Sequence, residues 1–154
     1  SHDTRGGLFD GSKTDALSKN PTSPSSPLYS VLDSLEDLRR PDGSFLLRIC
    51  YPELQAGDAL PCNEWSQSSN PATDVVITDF KPVLLQFSEN SLGEAWAGLG
   101  VSPASAAFTY IDDAPNRFNW WSAVGASRYH EKVGYIPGPL NKLVKKVEMY
   151  AFNG

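Results

Sequence analysis

The sequence lacks the short motifs that accompany most enzymatic chemistry. It has no Gly-rich phosphate loop, no Gly-x-Ser-x-Gly elbow and no His-Glu-x-x-His pair. Its two cysteines have no histidines clustered beside them, which makes a poor zinc site, and an ordinary turn accounts for Asp112, Asp113 and Asn116 better than calcium does. We predict a protein that is not an enzyme and needs no cofactor or metal. The catalytic alternative is proton transfer by His130 and Glu131.

The chain also lacks an excess of positive charge and any long apolar run. Thirteen Lys and Arg stand against eighteen Asp and Glu, which gives a net charge of −5 and disfavours nucleic acid as a partner. No apolar stretch has the roughly 20 residues of a membrane span. N-glycosylation is not expected, because no Asn-x-Ser/Thr acceptor is present.

Twelve Gly and twelve Pro interrupt the chain at short intervals, which predicts many short elements. From residue 45 onward the apolar residues alternate with a period of two. We therefore predict a mainly β fold, an antiparallel two-sheet sandwich or jelly roll over residues 45–152. Strands are expected at residues 45–51, 75–80, 83–88, 108–111, 118–126 and 143–152.

Two segments precede this β domain. Residues 27–40 have an apolar stripe at helical spacing, a Pro suited to the first turn and a Pro that ends the pattern, which predicts one amphipathic helix. Residues 1–26 are rich in Gly, Ser, Thr and Pro and predict an extended arm. An arm of this composition becomes ordered by packing on its own domain or on a partner. Leu8 and Phe9 are its candidate docking residues.

Cys50 and Cys62 bracket a short stretch that contains three turn-forming residues. A bridge between them would constrain the unfolded chain by about 3 kcal/mol. The alternative is two free, buried thiols. We favour the disulfide, because the two cysteines are close in sequence and no other thiol competes. A disulfide is typical of an oxidising compartment.

The residues that most suggest a binding site are Asn63, Trp65, Gln67 and Asn70. In an extended chain the first three share one face, and an indole beside two amides suits a sugar. The alternative is that Trp65 belongs to the core while the amides hold neighbouring loop backbone, with Asn70 starting a turn. Trp121 is a further candidate, because on a strand it faces away from its neighbour Trp120 and one of the two is expected in the core.

Several stretches together resemble a poorly characterised extracellular module of marine-invertebrate proteins, of the coral skeletal matrix type, and of algal proteins. The pattern is Asn-x-Trp-x-Gln-x-Ser-Asn-Pro, then a Trp-Trp strand, then Ile-Pro-Gly-Pro, and it extends over roughly residues 45–150. The matching stretches are residues 50–53, 62–71, 119–125, 136–139 and 147–150. The resemblance implies a non-enzymatic module in an extracellular or luminal setting, and it implies no catalytic residues.

Two functional hypotheses follow. The first is a structural or interaction module, a peripheral subunit docked on a protein partner in a larger assembly through its N-terminal arm. The second is a lectin-like module that binds a glycan or a matrix through Trp65 and its amides. Both place the protein outside the cell or in an organelle lumen, a plastid lumen if the source is an alga.

Overall fold

The computed structural model describes residues 2–3, 17–26, 29–54, 61–88, 96–101 and 146–153. The strands expected at residues 108–111 and 118–126 lie outside these ranges. The described elements are seven strands and two 3-10 helices: β1 (His2–Asp3), β2 (Ser18–Lys19), β3 (Ser30–Val31), η1 (Leu32–Leu38), β4 (Phe45–Cys50), η2 (Pro52–Leu54), β5 (Cys62–Gln67), β6 (Lys81–Leu85) and β7 (Lys146–Phe152).

The strands form two antiparallel sheets, and the predicted mainly β class is confirmed. One sheet has five strands in the order β1-β7-β4-β5-β6, and the other pairs β2 with β3. Strand β4 lies at the centre of the larger sheet, between β5 and β7. The finer arrangement of a sandwich or jelly roll stays a prediction, because the described residues do not define it.

One face of the central strands forms the core. Phe45, Leu47 and Ile49 alternate along β4 and are almost completely buried. Trp65 lies opposite Leu47 on β5 and packs edge-on against Trp96, with 4.8 Å between ring centroids. Because directly opposed residues of antiparallel strands point to the same side, the inward positions of β4 fix which residues of β5 are buried. The buried apolar cluster is Leu35, Phe45, Leu47, Ile49, Tyr51, Trp65, Ala72, Trp96, Leu99, Val101 and Val147.

The helix differs from the one expected over residues 27–40. It is a 3-10 helix that begins at Leu32, and the two residues before it form strand β3, which pairs with β2. Leu32, Leu35 and Leu38 are spaced by three residues and all contact the core, which suits the three-residue turn of a 3-10 helix. The predicted stripe agrees with the structure at these three leucines, whereas residues 30–31, expected in the helix, form a strand.

The strand expected at residues 75–80 does not exist. Residues 71–80 form turns and bends between β5 and β6, and Val75 and Val76 are exposed. The loop is fixed at its start by Asn70, whose backbone oxygen accepts hydrogen bonds from the amides of Thr73 and Asp74. The Ala72 amide also donates to the Asn70 Oδ1. A β-branched run therefore lies in a loop here, because local hydrogen bonds to Asn70 decide the conformation of the segment.

Strand β6 begins earlier than the expected residue 83, and its first two residues are Lys81 and Pro82. In the described part of the sheet, β6 has β5 as its one neighbour. A proline is tolerated at the start of such an outer strand, where its missing N–H breaks no ladder bond. A register shift between Glu64 and Trp65 places an extra residue in β6, a bulge that bends the strand.

Both described strands of the N-terminal segment pair with other strands of this chain. Strand β1 lies antiparallel to β7, and β2 lies antiparallel to β3. Leu8 and Phe9, the expected docking residues of the arm, lie outside the described residues. The expected arm of residues 1–26 thus contributes strands to both sheets, at residues 2–3 and 18–19.

Candidate functional site

The side chains expected to bind a sugar point into the protein. Asn63, Trp65, Gln67 and Asn70 are each at most 3% exposed. Asn63 and Gln67 lie opposite Ile49 and Phe45 on β4, so the register turns the whole motif toward the core. These four residues therefore present no exposed face to a sugar, and their contacts agree with the alternative, a core Trp with amides that hold loop backbone.

Gln67 connects three separate parts of the chain. Its Oε1 accepts hydrogen bonds from the Trp65 indole N–H and from the Leu99 amide, both at 2.9 Å. Its Nε2 donates to the backbone oxygens of Leu99 and Ser69, at 2.7 and 2.9 Å. A buried amide with all these partners fixes the irregular segment 96–101 against β5. Gly98 approaches so closely that a Cβ atom there would lie 2.7 Å from the Gln67 Oε1.

Asn63 extends the pairing of β5 and β6 beyond the last ladder residue. Its Nδ2 donates to the Phe87 backbone oxygen at 2.8 Å, and its Oδ1 accepts from the Phe87 amide at 2.9 Å. The side chain thus takes the place of a backbone pair. Phe87 is thereby positioned edge-on against Tyr51, with 5.5 Å between ring centroids, and burial raises the pKa of the Tyr51 phenol.

Asn70 links the 68–74 loop to η1. Its Nδ2 donates to Glu36 Oε1 at 2.7 Å, and its Oδ1 accepts from the Ala72 amide at 2.8 Å. Two nitrogens of Arg39 donate hydrogen bonds to the same Glu36 carboxylate, each at 2.8 Å. Arg39 also donates to the Ser68 backbone oxygen. The Arg39 and Asn70 hydrogen bonds hold the pKa of Glu36 below its usual value. These hydrogen bonds hold the 68–74 loop against η1.

The disulfide between Cys50 and Cys62 is confirmed. The two residues are directly opposed on β4 and β5, with their Cα atoms 4.1 Å apart. Such a bridge is compatible with an oxidising compartment. Trp121 and the pair of His130 and Glu131 lie outside the described residues.

The other side of the sheet carries a second set of side chains, which we call the outer face. Strand register arranges them in rows across β6, β5, β4 and β7. One row contains Lys81, Ser66, Leu46 and Phe152; the next contains Leu84, Glu64, Arg48 and Tyr150; and the third contains Cys62, Cys50 and Glu148.

The centre of the outer face is an ion pair. Arg48 Nε donates to Glu64 Oε2 at 2.6 Å, and Nη2 contacts the same oxygen. The Arg48 guanidinium lies 5.0 Å from the centroid of the Phe152 ring, within the range of a cation–π contact. The Arg48 side chain is 40% exposed, whereas that of Glu64 is 13% exposed. Arg48 is therefore held in one orientation and still reaches solvent.

An aromatic pair flanks the ion pair. The Tyr150 and Phe152 rings lie within 20° of parallel, 6.4 Å apart, and Tyr150 is 40% exposed. The Tyr150 hydroxyl donates to Glu148 Oε2, and this hydrogen bond raises the pKa of Tyr150 to about 12. Tyr150 is consequently a neutral hydrogen-bonding group at physiological pH. Leu84, 49% exposed, ends the same row on the opposite side of the ion pair.

Within the described residues, no three His, Cys, Asp or Glu side chains come together as a metal site. The described helices include none that is long and apolar enough to cross a membrane. Comparison with known proteins adds no relative: no family model matches the chain, and neither a curated protein nor a solved structure is similar to it.

Proposed function

We propose that the protein is a non-enzymatic interaction module that attaches to a larger structure through the outer face of its five-stranded sheet. The observation that carries this proposal is the combination of exposed Tyr150 and Leu84 with a pre-positioned Arg48 on one side of a rigid sheet. Aromatic and Arg side chains held in one orientation are the usual anchors of binding surfaces.

The burial of Asn63, Trp65, Gln67 and Asn70 supports the choice of the outer face, because these side chains are not accessible to a partner. The amides of Asn63, Gln67 and Asn70 are taken up by internal hydrogen bonds, so they serve as scaffold. The disulfide adds a covalent link between the two strands that carry Arg48 and Glu64. A rigid support reduces the entropy lost when a partner binds.

An extracellular or luminal location belongs to the same proposal. The disulfide and the resemblance to modules of secreted matrix proteins support it. Under this proposal the protein is a peripheral component of an assembly or matrix. It attaches through the outer face, with or without the N-terminal arm.

Hydroxyl-radical footprinting with mass spectrometry tests the proposal. The protein is labelled in material taken from its source without dissociation, and again after isolation. We expect Tyr150, Phe152 and Leu84 to be several-fold less oxidised in the native material. Val75 and Val76, which are exposed in the 71–80 loop, are the internal control and keep their labelling. Equal labelling of the outer face in both states would show that this face is not the attachment surface.

A further inference from the structure

The outer face has charges at its centre, which distinguishes it from a typical protein-binding surface. Arg is common at the cores of protein interfaces, but Glu is depleted there, whereas here Glu64, paired with Arg48, occupies the middle row. Covering that pair with an apolar partner would remove both groups from water at a cost in free energy. A ligand that supplies its own hydrogen bonds avoids this cost.

The charges on the face are also balanced. Within the three rows, Lys81 and Arg48 are matched by Glu64 and Glu148, two positive groups and two negative ones. A surface of this kind gives no net attraction to a polyanion such as nucleic acid or a sulfated glycan, and none to a basic peptide. The matching ligand is neutral and bears both donors and acceptors.

The side chains next to the ion pair fit one chemical class of neutral ligand. A sugar ring has an apolar C–H side and a rim of hydroxyl groups. The exposed part of the Tyr150 ring suits the C–H side. Two N–H groups of Arg48 point to Glu64, and no other acceptor in the described part of the chain contacts the guanidinium. A guanidinium has five N–H groups, and because the Arg48 side chain is 40% exposed, N–H groups that do not bind Glu64 reach solvent, where adjacent hydroxyls would accept them.

We propose that Arg48 and Tyr150, supported by Glu64 and Phe152, form a binding subsite for a neutral saccharide. This inference rests on the proposed function and names the ligand class of the same face. The subsite lies on the opposite side of the sheet from Trp65. Phe152 and Glu64 hold the guanidinium in place, so little side-chain entropy is lost when a sugar binds.

The test is an NMR titration of the full, oxidised chain with neutral oligosaccharides of glucose, xylose, mannose and N-acetylglucosamine. We expect shifts at outer-face amides, and affinity that does not change between low salt and about 0.5 M salt. Tyr150→Ala should weaken binding about tenfold, as expected for the loss of one ring contact. Tyr150→Phe should keep most of the affinity, and Val76→Ala, in the exposed loop, should keep all of it.

Arg48→Lys separates recognition from folding. It keeps the charge opposite Glu64 but loses the planar fork, so we expect weaker saccharide binding with an unchanged spectrum of the core. Binding of sulfated or uronic-acid glycans in preference to neutral ones would overturn the inference. So would the absence of any saccharide binding. If footprinting still shows protection of the outer face in native material, the interaction module stands and its partner is a protein.

Discussion

Replacement of Gln67 by Leu is expected to be among the most damaging single changes on β5. Leu has a similar volume, so no large cavity forms, but the Trp65 indole N–H and the Leu99 amide lose their acceptor. Each buried donor left without a partner costs about 1–3 kcal/mol. The two together predict a loss of roughly 2–6 kcal/mol in the free energy of unfolding, a large part of the 5–15 kcal/mol typical of a domain.

Urea denaturation followed by Trp fluorescence measures this loss, because Trp65 and Trp96 are both buried. With an m-value of about 2 kcal/mol/M, the middle of the usual range, the midpoint should fall by roughly 1–3 M. Ser66→Ala, at the next position and on the outer face, is the matched control and should change stability by no more than about 0.5 kcal/mol. A Gln67→Leu midpoint equal to that of the control would refute the conclusion that the Gln67 hydrogen bonds stabilise the packing of residues 96–101 against β5.

Gln67→Glu adds a pH signature to the same experiment. The new oxygen would face the backbone oxygens of Ser69 and Leu99, where Nε2 now donates. Burial among acceptors raises the pKa of this carboxyl in the folded state above its unfolded value of about 4.3. Stability is therefore retained below the unfolded pKa and lost as the pH rises through the folded one. Measured against the unmodified protein at each pH, the variant should be least impaired in acid.

The remaining predictions concern the disulfide, the acid response and one glycine. Replacing both Cys50 and Cys62 by Ala should lower the free energy of unfolding by about 3 kcal/mol in calorimetry, through the lost loop constraint. The pKa of Glu36 is lowered by folding, so its contribution to stability is present above its ordinary value of 4.5 and lost as the pH falls through the folded pKa. Glu36→Gln should therefore reduce the fall in the free energy of unfolding below about pH 4.5. The reduction should be no more than about 1 kcal/mol, because the side chain is half exposed. An unchanged dependence of stability on pH would contradict the ion-pair contacts. Gly98→Ala should cost more than Gly43→Ala in thermal unfolding: both glycines have positive φ, but a Cβ would meet neighbouring atoms only at Gly98.

The β elements with clear alternation were predictable from sequence. The period of two over residues 45–51 and 143–152 located β4 and β7 to within a few residues. The apolar stripe predicted over residues 27–40 located the buried leucines of η1, but the pairing of β3 with β2, which occupies residues 30–31, is not visible in the local pattern. The 71–80 loop was missed because a β-branched run resembles a strand until its anchoring hydrogen bonds are known.

The candidate site was only half predictable. Alternation showed that Asn63, Trp65 and Gln67 share a face, but a period of two does not say which face is buried. That depends on the register with β4 and on partners such as Leu99, distant in sequence. The outer face was missed for the same reason. Arg48 and Tyr150 are opposed only because β4 pairs with β7, and their strands are separated by most of the chain.

The inward side and the outer face of the sheet both depend on the pairing register of β4 with β5. A slip of β5 against β4 by one residue would move Gln67 out of the core and separate Arg48 from Glu64. The inward amides and the Cys50–Cys62 bridge fix that register from opposite sides of the sheet. In the proposed function, the sequence motif therefore acts on binding indirectly, by holding the strands that present the outer face. Changes at Gln67 should accordingly lower stability and binding together, whereas changes at Tyr150 should lower binding alone.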